Sequence, residues 1–450
     1  MNSPNFVSTR NACKLCMPLG AVMVFKGVKG AVPFLHGSQG CATYIRRYVI
    51  SHFREPLDVA ASNFSEESAV FGGRKNLSQG IQNVSLQYLP ELIGVASTCL
   101  SETMGENLPA LLREASTQEG IPPLVGVSTP AYAGTHIEGF HAAIAALVKA
   151  FAQKRKRKEK RVGLFPGFVS PADMRYLREL VESFGLEAVV LPDYSETLDG
   201  GSWERYENIS PGGTTLDEIR SLGSAMATLE LGSSLIHSTQ TAGAYLSEKF
   251  AVHRMSLGWP VGLAETDTLV ETLTRISGQP LAKVHRLERG RLVDAYVDSH
   301  KVVNGKKAAV FGDADLVAGM AGFLAEIGIQ PVLCATGAKG TGLSDTVRSR
   351  TADLPGADEL KVLEGTDYAT LGSELERIKP DLLVGPSKGY FLERSSKIPL
   401  LRVGFPIHDR FGAARILHTG YRGTQELLDR IVNLFLEHQQ EGSPVGYSYQ

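Results

Sequence analysis

One alternation recurs along this 450-residue chain and restricts its fold more than any other feature: a short apolar run, a turn containing Gly, Ser or Pro, then a longer stretch with apolar residues three and four apart. A strand that feeds a helix and then another strand returns parallel to the first, so the pattern predicts an α/β parallel-sheet architecture. The clearest unit is AAVFGD (308–313), LVAGMAGFLAEIGI (316–329) and PVLCATG (331–337). VGLFPG (162–167) precedes the helix-like MRYLRELVESF, and DLLVG (381–385) and LLRVGFP (400–406) each run into a Gly-containing turn. At roughly 150 residues per domain the length predicts three domains, and the repeated pattern makes them parallel-sheet domains. The charge run KRKRKEKR (154–161) reads as a solvated linker. A second break is expected at 298–307, where Asn304-Gly305 forms a turn. The expected domains are 1–153, 161–297 and 305–450, the last ending in the tail GSPVGYSYQ, a flexible end or a docking strap.

Composition removes several function classes. With 46 Lys+Arg against 48 Asp+Glu, the net charge of -2 offers no basic excess for a phosphate backbone, so a general nucleic-acid binder is not expected. Hydrophobic residues at 43% and charged residues at 21% describe a globular chain. No apolar run approaches ~18 residues, and MNSPNFVSTRN lacks the basic-then-apolar pattern of a leader; a cytoplasmic protein with no membrane association is expected. Five cysteines, three of them within the first 41 positions, do not resemble a secreted disulfide framework, which favours metal ligation.

Cys41 follows the strand-like run 32–35 and a Gly/Ser turn, and Cys99 follows LIGVAST in the same way. Ligands of open parallel sheets bind outside the carboxyl ends of the strands, so both thiols are expected at one sheet edge. Cys16, in NACKLCMPLGA, precedes a Gly-rich stretch that would let the backbone approach a bulky inorganic group, and PLVGVSTPAYAGTH presents Thr135 and His136 from a fourth loop. Soft thiolates suit iron–sulfur clusters, zinc or copper(I); burial as small hydrophobic residues is the alternative. The Cys13/Cys16 CxxC is a weak signal, and Cys334 is expected to be buried in its strand. The glycines of HGSQGC lack the Lys-Ser/Thr of a phosphate loop. His237, His253, His285, His300, His408 and His418 are scattered and are expected to be surface or structural residues.

HGSQGCATYIRRYVISHFREP, SEESAVFGG, STCLSETMGENL, STPAYAGTHIEGF, ISGQP, ERGRLVDAYVDSH, FGDADLV and RVGFPIHDR, in this order, resemble segments of the β-type subunits of nitrogenase component 1 and their relatives. The resemblance runs through most of the chain. It implies three Rossmann-like domains and an iron–sulfur cluster shared with an α-type partner, with Cys16, Cys41 and Cys99 as this chain's ligands. The intervals of 25 and 58 residues between them match those of the catalytic subunits. Cys13 has no counterpart. Thr135 stands where the family carries a serine near the cluster. LIHSTQTAGAYLSEKF has no cysteine to hold the cofactor that the α-type subunit binds, so this chain is not expected to carry the substrate site, and no residue is assigned a catalytic role. Arg46, Arg47, Arg54 and Glu55 resemble family residues in the helix after Cys41, and an ion-paired helix face explains them as well as a catalytic role does.

Two functions follow from the resemblance. In the first, the chain belongs to an α2β2 nitrogenase or nitrogenase-like reductase, and an 8Fe–7S cluster of P-cluster type relays electrons from an ATP-dependent iron protein, which binds the nucleotide, to the partner's cofactor. In the second, it is half of the scaffold on which the iron–molybdenum cofactor matures, with a 4Fe–4S cluster. GYRGT (420–424) and the short segment before Cys16 resemble scaffold members, whereas the complete set of three cysteines favours the reductase. A three-cysteine zinc site in an unrelated α/β protein is a third, weaker reading, and it would need a fourth ligand.

Overall fold

The computed structural model describes residues 13–155, 160–236 and 238–446. Lys156 to Glu159 of the charge run, His237 and the last four residues of the tail lie outside them. Every strand pairing within the three sheets is parallel.

The first sheet holds β1 (Ala31–His36), β2 (Ala60–Ala61), β3 (Leu92–Ser97) and β4 (Leu124–Val127) in the order β2-β1-β3-β4. The second holds β5 (Arg161–Phe165), β6 (Glu187–Val190), β7 (Ala227–Leu231) and β8 (His253–Leu257) in the order β6-β5-β7-β8. The third holds β9 (Lys307–Gly312), β10 (Gln330–Thr336), β11 (Lys361–Leu363), β12 (Leu382–Gly385) and β13 (Leu400–Arg402) in the order β11-β10-β9-β12-β13. The central strands β1, β3 and β7 are buried along their whole length, as expected where helices cover both faces of a parallel sheet.

Helix starts follow local chemistry. Thr135 with Glu138 caps His136–Phe151, Ser170 with Asp173 caps Pro171–Glu182, and Asp313 accepts the Leu316 amide at 2.9 Å to start Ala314–Glu326. The break expected at 298–307 is narrower in the structure. Helix Lys283–Val303 continues to Val303 because it packs along the final helix, Gly420–Glu441, and only the turn at Asn304-Gly305 interrupts the chain. One continuous apolar core, from Leu15 and Leu19 through Phe165 to Phe435, joins elements of all three sheets.

A buried polar clamp closes the second sheet's helices onto the C-terminal segment. Asp173 is wholly buried, and its carboxylate accepts the amides of His418 at 2.7 Å, Thr419 at 2.9 Å and Ser170 at 3.1 Å, with His418 Nδ1 at 2.8 Å. Burial pushes the Asp173 carboxyl up, but His418 and the Thr419 amide outweigh it and hold the pKa below its ordinary 3.8. A depressed carboxyl contributes stability above its unfolded pKa and loses it as pH falls through the native one. Asp173→Ala is expected to cost about 3–5 kcal/mol, the range for stripping one partner from a buried polar pair, read as a lower urea midpoint at neutral pH. The variant's stability should also fall less steeply than the wild type's below pH 3.8. Unchanged midpoints would contradict both.

Candidate functional site

β1 and β3 are neighbours, in register from Ala31 opposite Leu92 to His36 opposite Ser97, so the loops leaving their carboxyl ends emerge side by side. Cys41 is the third residue of helix Gln39–Phe53, whose start is fixed by Ser38 accepting the Gly40 amide at 3.2 Å. Cys99 opens the short helix Cys99–Thr103, held by the Thr98/Ser101 capping box. Cys16 sits at the N-cap of helix Met17–Lys26.

The Gly-rich stretch after Cys16 does not serve an inorganic group. It is a helix with nine of its ten residues buried, crossed by His136–Phe151 at very close range. A Cβ at Gly20 would lie 1.8 Å from the His136 carbonyl oxygen, and one at Gly139 would lie 2.0 Å from the Met17 carbonyl oxygen. This crossing carries Cys16 to the same edge as the other two thiols.

Cys16, Cys41 and Cys99 are free and half-buried. Burial first, and then one another's charge, raise Cys16 and Cys41 above the ordinary 9.0: Cys99 acts on Cys16, and both Cys16 and Cys99 act on Cys41. Lys14 and Lys388 pull Cys16 the other way. The Ala131 amide donates to Cys99 Sγ at 3.2 Å, the type of contact that tunes a metal-bound thiolate. Among the described residues no three His, Cys, Asp or Glu side chains lie close enough to hold one metal ion. The three thiols therefore form no ready single-metal site among the described residues, and thiolates are soft donors of the kind that iron–sulfur clusters take.

The other two cysteines face different surroundings. Cys334 lies in β10 between Val310 of β9 and Val362 of β11, wholly buried, and burial pushes its thiol up to about 12. Cys13 packs with Ala309, Phe311 and Leu333, its amide donating to Thr366 O at 3.3 Å and its carbonyl accepting from Gly337 N at 3.0 Å. Burial raises it to about 11, so the two halves of the CxxC serve different parts of the fold. The Thr135 hydroxyl donates to Glu138 and accepts the Ile137 amide at 3.2 Å, which commits it to the helix cap.

Among the scattered histidines, His285 pairs with Glu288, His418 with Asp173 and His408 with Ser51, while His253 and His300 are exposed. The expected ion-paired face of Arg46, Arg47, Arg54 and Glu55 is not formed among the described residues. The helix ends at Phe53, Arg54 takes a left-handed φ of 67° as its cap, and Glu55 lies beyond it. Sequence reasoning missed His36, Ser62 and Glu106, a buried hydrogen-bonded chain beside the Cys41 and Cys99 loops. Its only signal was a histidine ending a strand immediately before a glycine.

No helix among the described residues is long and apolar enough to cross a membrane. A cavity of about 750 Å³ lies between loops of the three sheets, lined by Thr135, His136, His141, Ser238, Thr241 and Thr341, with Cys13 as the sole thiol in its wall.

The fold is an α/β chain of three parallel sheets, with three free thiols at one sheet edge. The family profile of nitrogenase component 1 type oxidoreductases matches residues 16–436. The nitrogenase molybdenum-iron protein beta chain of Clostridium pasteurianum is 32% identical over 95% of this chain and 93% of its own length, and that of Azotobacter vinelandii is 34% identical over 96% and 85%. A chain of the solved structure "Nitrogenase Cp1 at pH 6.5" superposes with a TM-score of 0.95 at 30% identity, covering 100% of this chain and 98% of that one. The chain belongs to the nitrogenase component 1 type oxidoreductase family, as a β-type subunit of a nitrogenase-like complex.

In the isolated chain, iodoacetamide is expected to modify Cys16, Cys41 and Cys99 under native conditions, and Cys13 and Cys334 only after unfolding, as mapped by peptide mass spectrometry. Because thiolate is the nucleophile and the Cys16 and Cys41 pKa values lie above 9.0, their rates should still climb beyond pH 9. Native labelling of Cys334 would contradict its placement.

Proposed function

We propose that Cys16, Cys41 and Cys99 are this chain's ligands to an iron–sulfur cluster of P-cluster type, shared with an α-type subunit. The complex is an oxidoreductase in which electrons pass from an ATP-dependent iron protein toward a cofactor held by the α-type partner. The observation that supports this reading is that three free, half-buried thiols sit at one sheet edge, near enough for Cys16 and Cys99 to act on Cys41. When bound, a cluster of this kind supplies one-electron storage at low potential.

The chain's own residues account for the rest of the site. The three thiols bind, the Ala131 N–H directs a hydrogen bond at Cys99, and the Thr135–Glu138 cap holds the loop that faces them. Val70, Phe71, Leu100 and Tyr132, on segments that flank Cys99 or follow β2, are exposed apolar residues of the kind a partner subunit covers. Covering them would exclude water from the thiols, and an α2β2 assembly follows from the family. Substrate chemistry is placed on the partner: the stretch 235–250 supplies no cysteine, and the Glu230 carboxylate binds its helix start through the Thr241 hydroxyl at 2.9 Å and the Gly243 amide at 2.7 Å.

The scaffold reading rested in part on GYRGT, and each polar or glycine position there has a packing task. A Cβ at Gly420 would lie 1.9 Å from the Tyr176 ring, Arg422 pairs with Glu288 at 2.6 Å, and the Thr424 hydroxyl accepts the Gly262 amide at 2.9 Å. These contacts fit the reductase and the scaffold readings alike.

The deciding experiment is anaerobic co-purification with the α-type partner, followed by iron and sulfide quantification and electron paramagnetic resonance in reduced and oxidised states. An eight-iron-type signal with substrate turnover is expected. A four-iron-type signal with a precursor transferable to an apo-enzyme would make the complex the scaffold instead, and zinc without sulfide would overturn both. Cys41→Ala is expected to lose or remodel the cluster signal, while Cys334→Ser leaves iron content unchanged.

A further inference from the structure

We propose that His36 is a positioning residue for the thiol site, its carbonyl and both ring nitrogens fixing the loops that carry Cys41 and Cys99 relative to each other. This rests on the reading of those thiols as ligands.

His36 ends β1 and is wholly buried. Its carbonyl oxygen accepts the Thr98 amide at 3.2 Å, with the Thr98 hydroxyl at 3.0 Å and the Ser101 hydroxyl at 2.8 Å, so three donors from the turn around Cys99 converge on one atom of the Cys41 strand. Its ring faces the other way. Nδ1 lies 3.1 Å from the Ser62 hydroxyl and Nε2 lies 2.5 Å from a Glu106 carboxylate oxygen, with Phe64 edge-on at 4.9 Å between ring centroids.

The circuit closes on both sides. The Gly37 amide donates to Ser62 Oγ at 2.9 Å, and the Gly73 amide donates to the second Glu106 oxygen. Burial lowers the His36 pKa, opposed by Glu106. In the neutral Nε2–H tautomer, Nε2–H donates to Glu106, the Ser62 hydroxyl donates to Nδ1, and Ser62 Oγ accepts from Gly37. Ser62 follows β2 and Glu106 follows the Cys99 helix, so one imidazole ties the exit of β1 to two other segments.

There is little slack between the tied loops. A Cβ on Gly37, whose φ is 155°, would lie 1.9 Å from Thr98 Oγ1, so the Cys41 loop rests directly on the residue before Cys99. A shift at the end of β1 therefore passes to both cysteines. A residue that filled space alone could be replaced by an apolar side chain of similar size with no change at the thiols.

The test compares wild type, His36→Leu, His36→Gln and Glu106→Gln, each co-purified anaerobically with the α-type partner. Iron content, the electron paramagnetic resonance line shape, and the melting temperature are measured for each. His36→Leu is expected to bind iron roughly 10-fold or more weakly, as for loss of a partner that orients a metal ligand, or to change the line shape. His36→Gln, whose amide can donate to Glu106 from near the Nε2 position, is expected to recover most of the signal. If His36→Leu does not fold, a folded Glu106→Gln must show the altered line shape. Wild-type iron content and line shape in His36→Leu, or in a folded Glu106→Gln where His36→Leu fails to fold, would overturn the proposal while leaving the cluster intact. If wild type itself holds no iron and sulfide, the cluster reading fails. The ratio of Cys41 to Cys99 alkylation in metal-free protein then decides the positioning role: a ratio unchanged by His36→Leu overturns it.

Discussion

The parallel pairing of β1 with β3 is the constraint on which the site depends. Six paired positions fix their register, and because both strands run the same way, both deliver a loop and a helix start at the same edge. That places Cys41 and Cys99 together before any contact between the loops is considered. Cys16 arrives by a different route, through a helix crossing made close by Gly20 and Gly139, and it reaches the same edge only because helix His136–Phe151 itself begins there. The thiol set is thus assembled by one sheet register and one helix crossing.

If these thiols ligate a cluster as proposed, the electrostatics of this edge couple cluster binding to subunit association. Burial and mutual repulsion hold Cys16 and Cys41 in the thiol form, with Lys14 and Lys388 as the cations acting on Cys16. Metal binding must expel those protons, and the cation charge of the metal repays the cost of gathering the thiolates. A covering partner then lowers the dielectric around the assembled charge and buries the apolar residues beside it. In that reading, binding of metal and of partner would each favour the state the other needs.

Much of this was legible in the sequence because the signals were local. Apolar runs bounded by Gly and Ser turns mark the strands, and a cysteine just past such a run is aimed at the sheet edge whatever the rest of the chain does. Cys334 was separable from Cys41 and Cys99 for the same reason, since it falls within its run and not after it. What was not legible depends on contacts distant in sequence. The glycines after Cys16 read as a metal-facing loop, whereas their cause is a helix more than 100 residues away. The Arg54 cap and the continuation of helix Lys283–Val303 likewise depend on where a helix finds packing, which no window around those residues contains. His36 was hidden because its partners, Ser62 and Glu106, lie 26 and 70 residues on.

The strand ends of the first sheet share a property that bears on why these thiols and not other groups are available to a metal. Several polar side chains at these strand ends spend their hydrogen bonds on neighbouring loops or on the helix starts that follow. His36 engages Ser62 and Glu106, the Ser97 and Ser128 hydroxyls both donate to Glu102, the Thr129 hydroxyl donates to Ser97 O at 2.7 Å, and Thr135 engages Glu138. The Cys16 and Cys41 thiols have no hydrogen-bond partner among the described residues, and Cys99 accepts a single amide. A thiol is a weak donor and acceptor, so leaving it unpaired in a half-buried position costs little, whereas a hydroxyl or carboxylate there would demand a protein partner. The edge is therefore held in its oxygen and nitrogen groups and uncommitted in its sulfurs, so that, on the proposed reading, soft ligands would meet a metal cluster without first breaking the contacts that hold their loops.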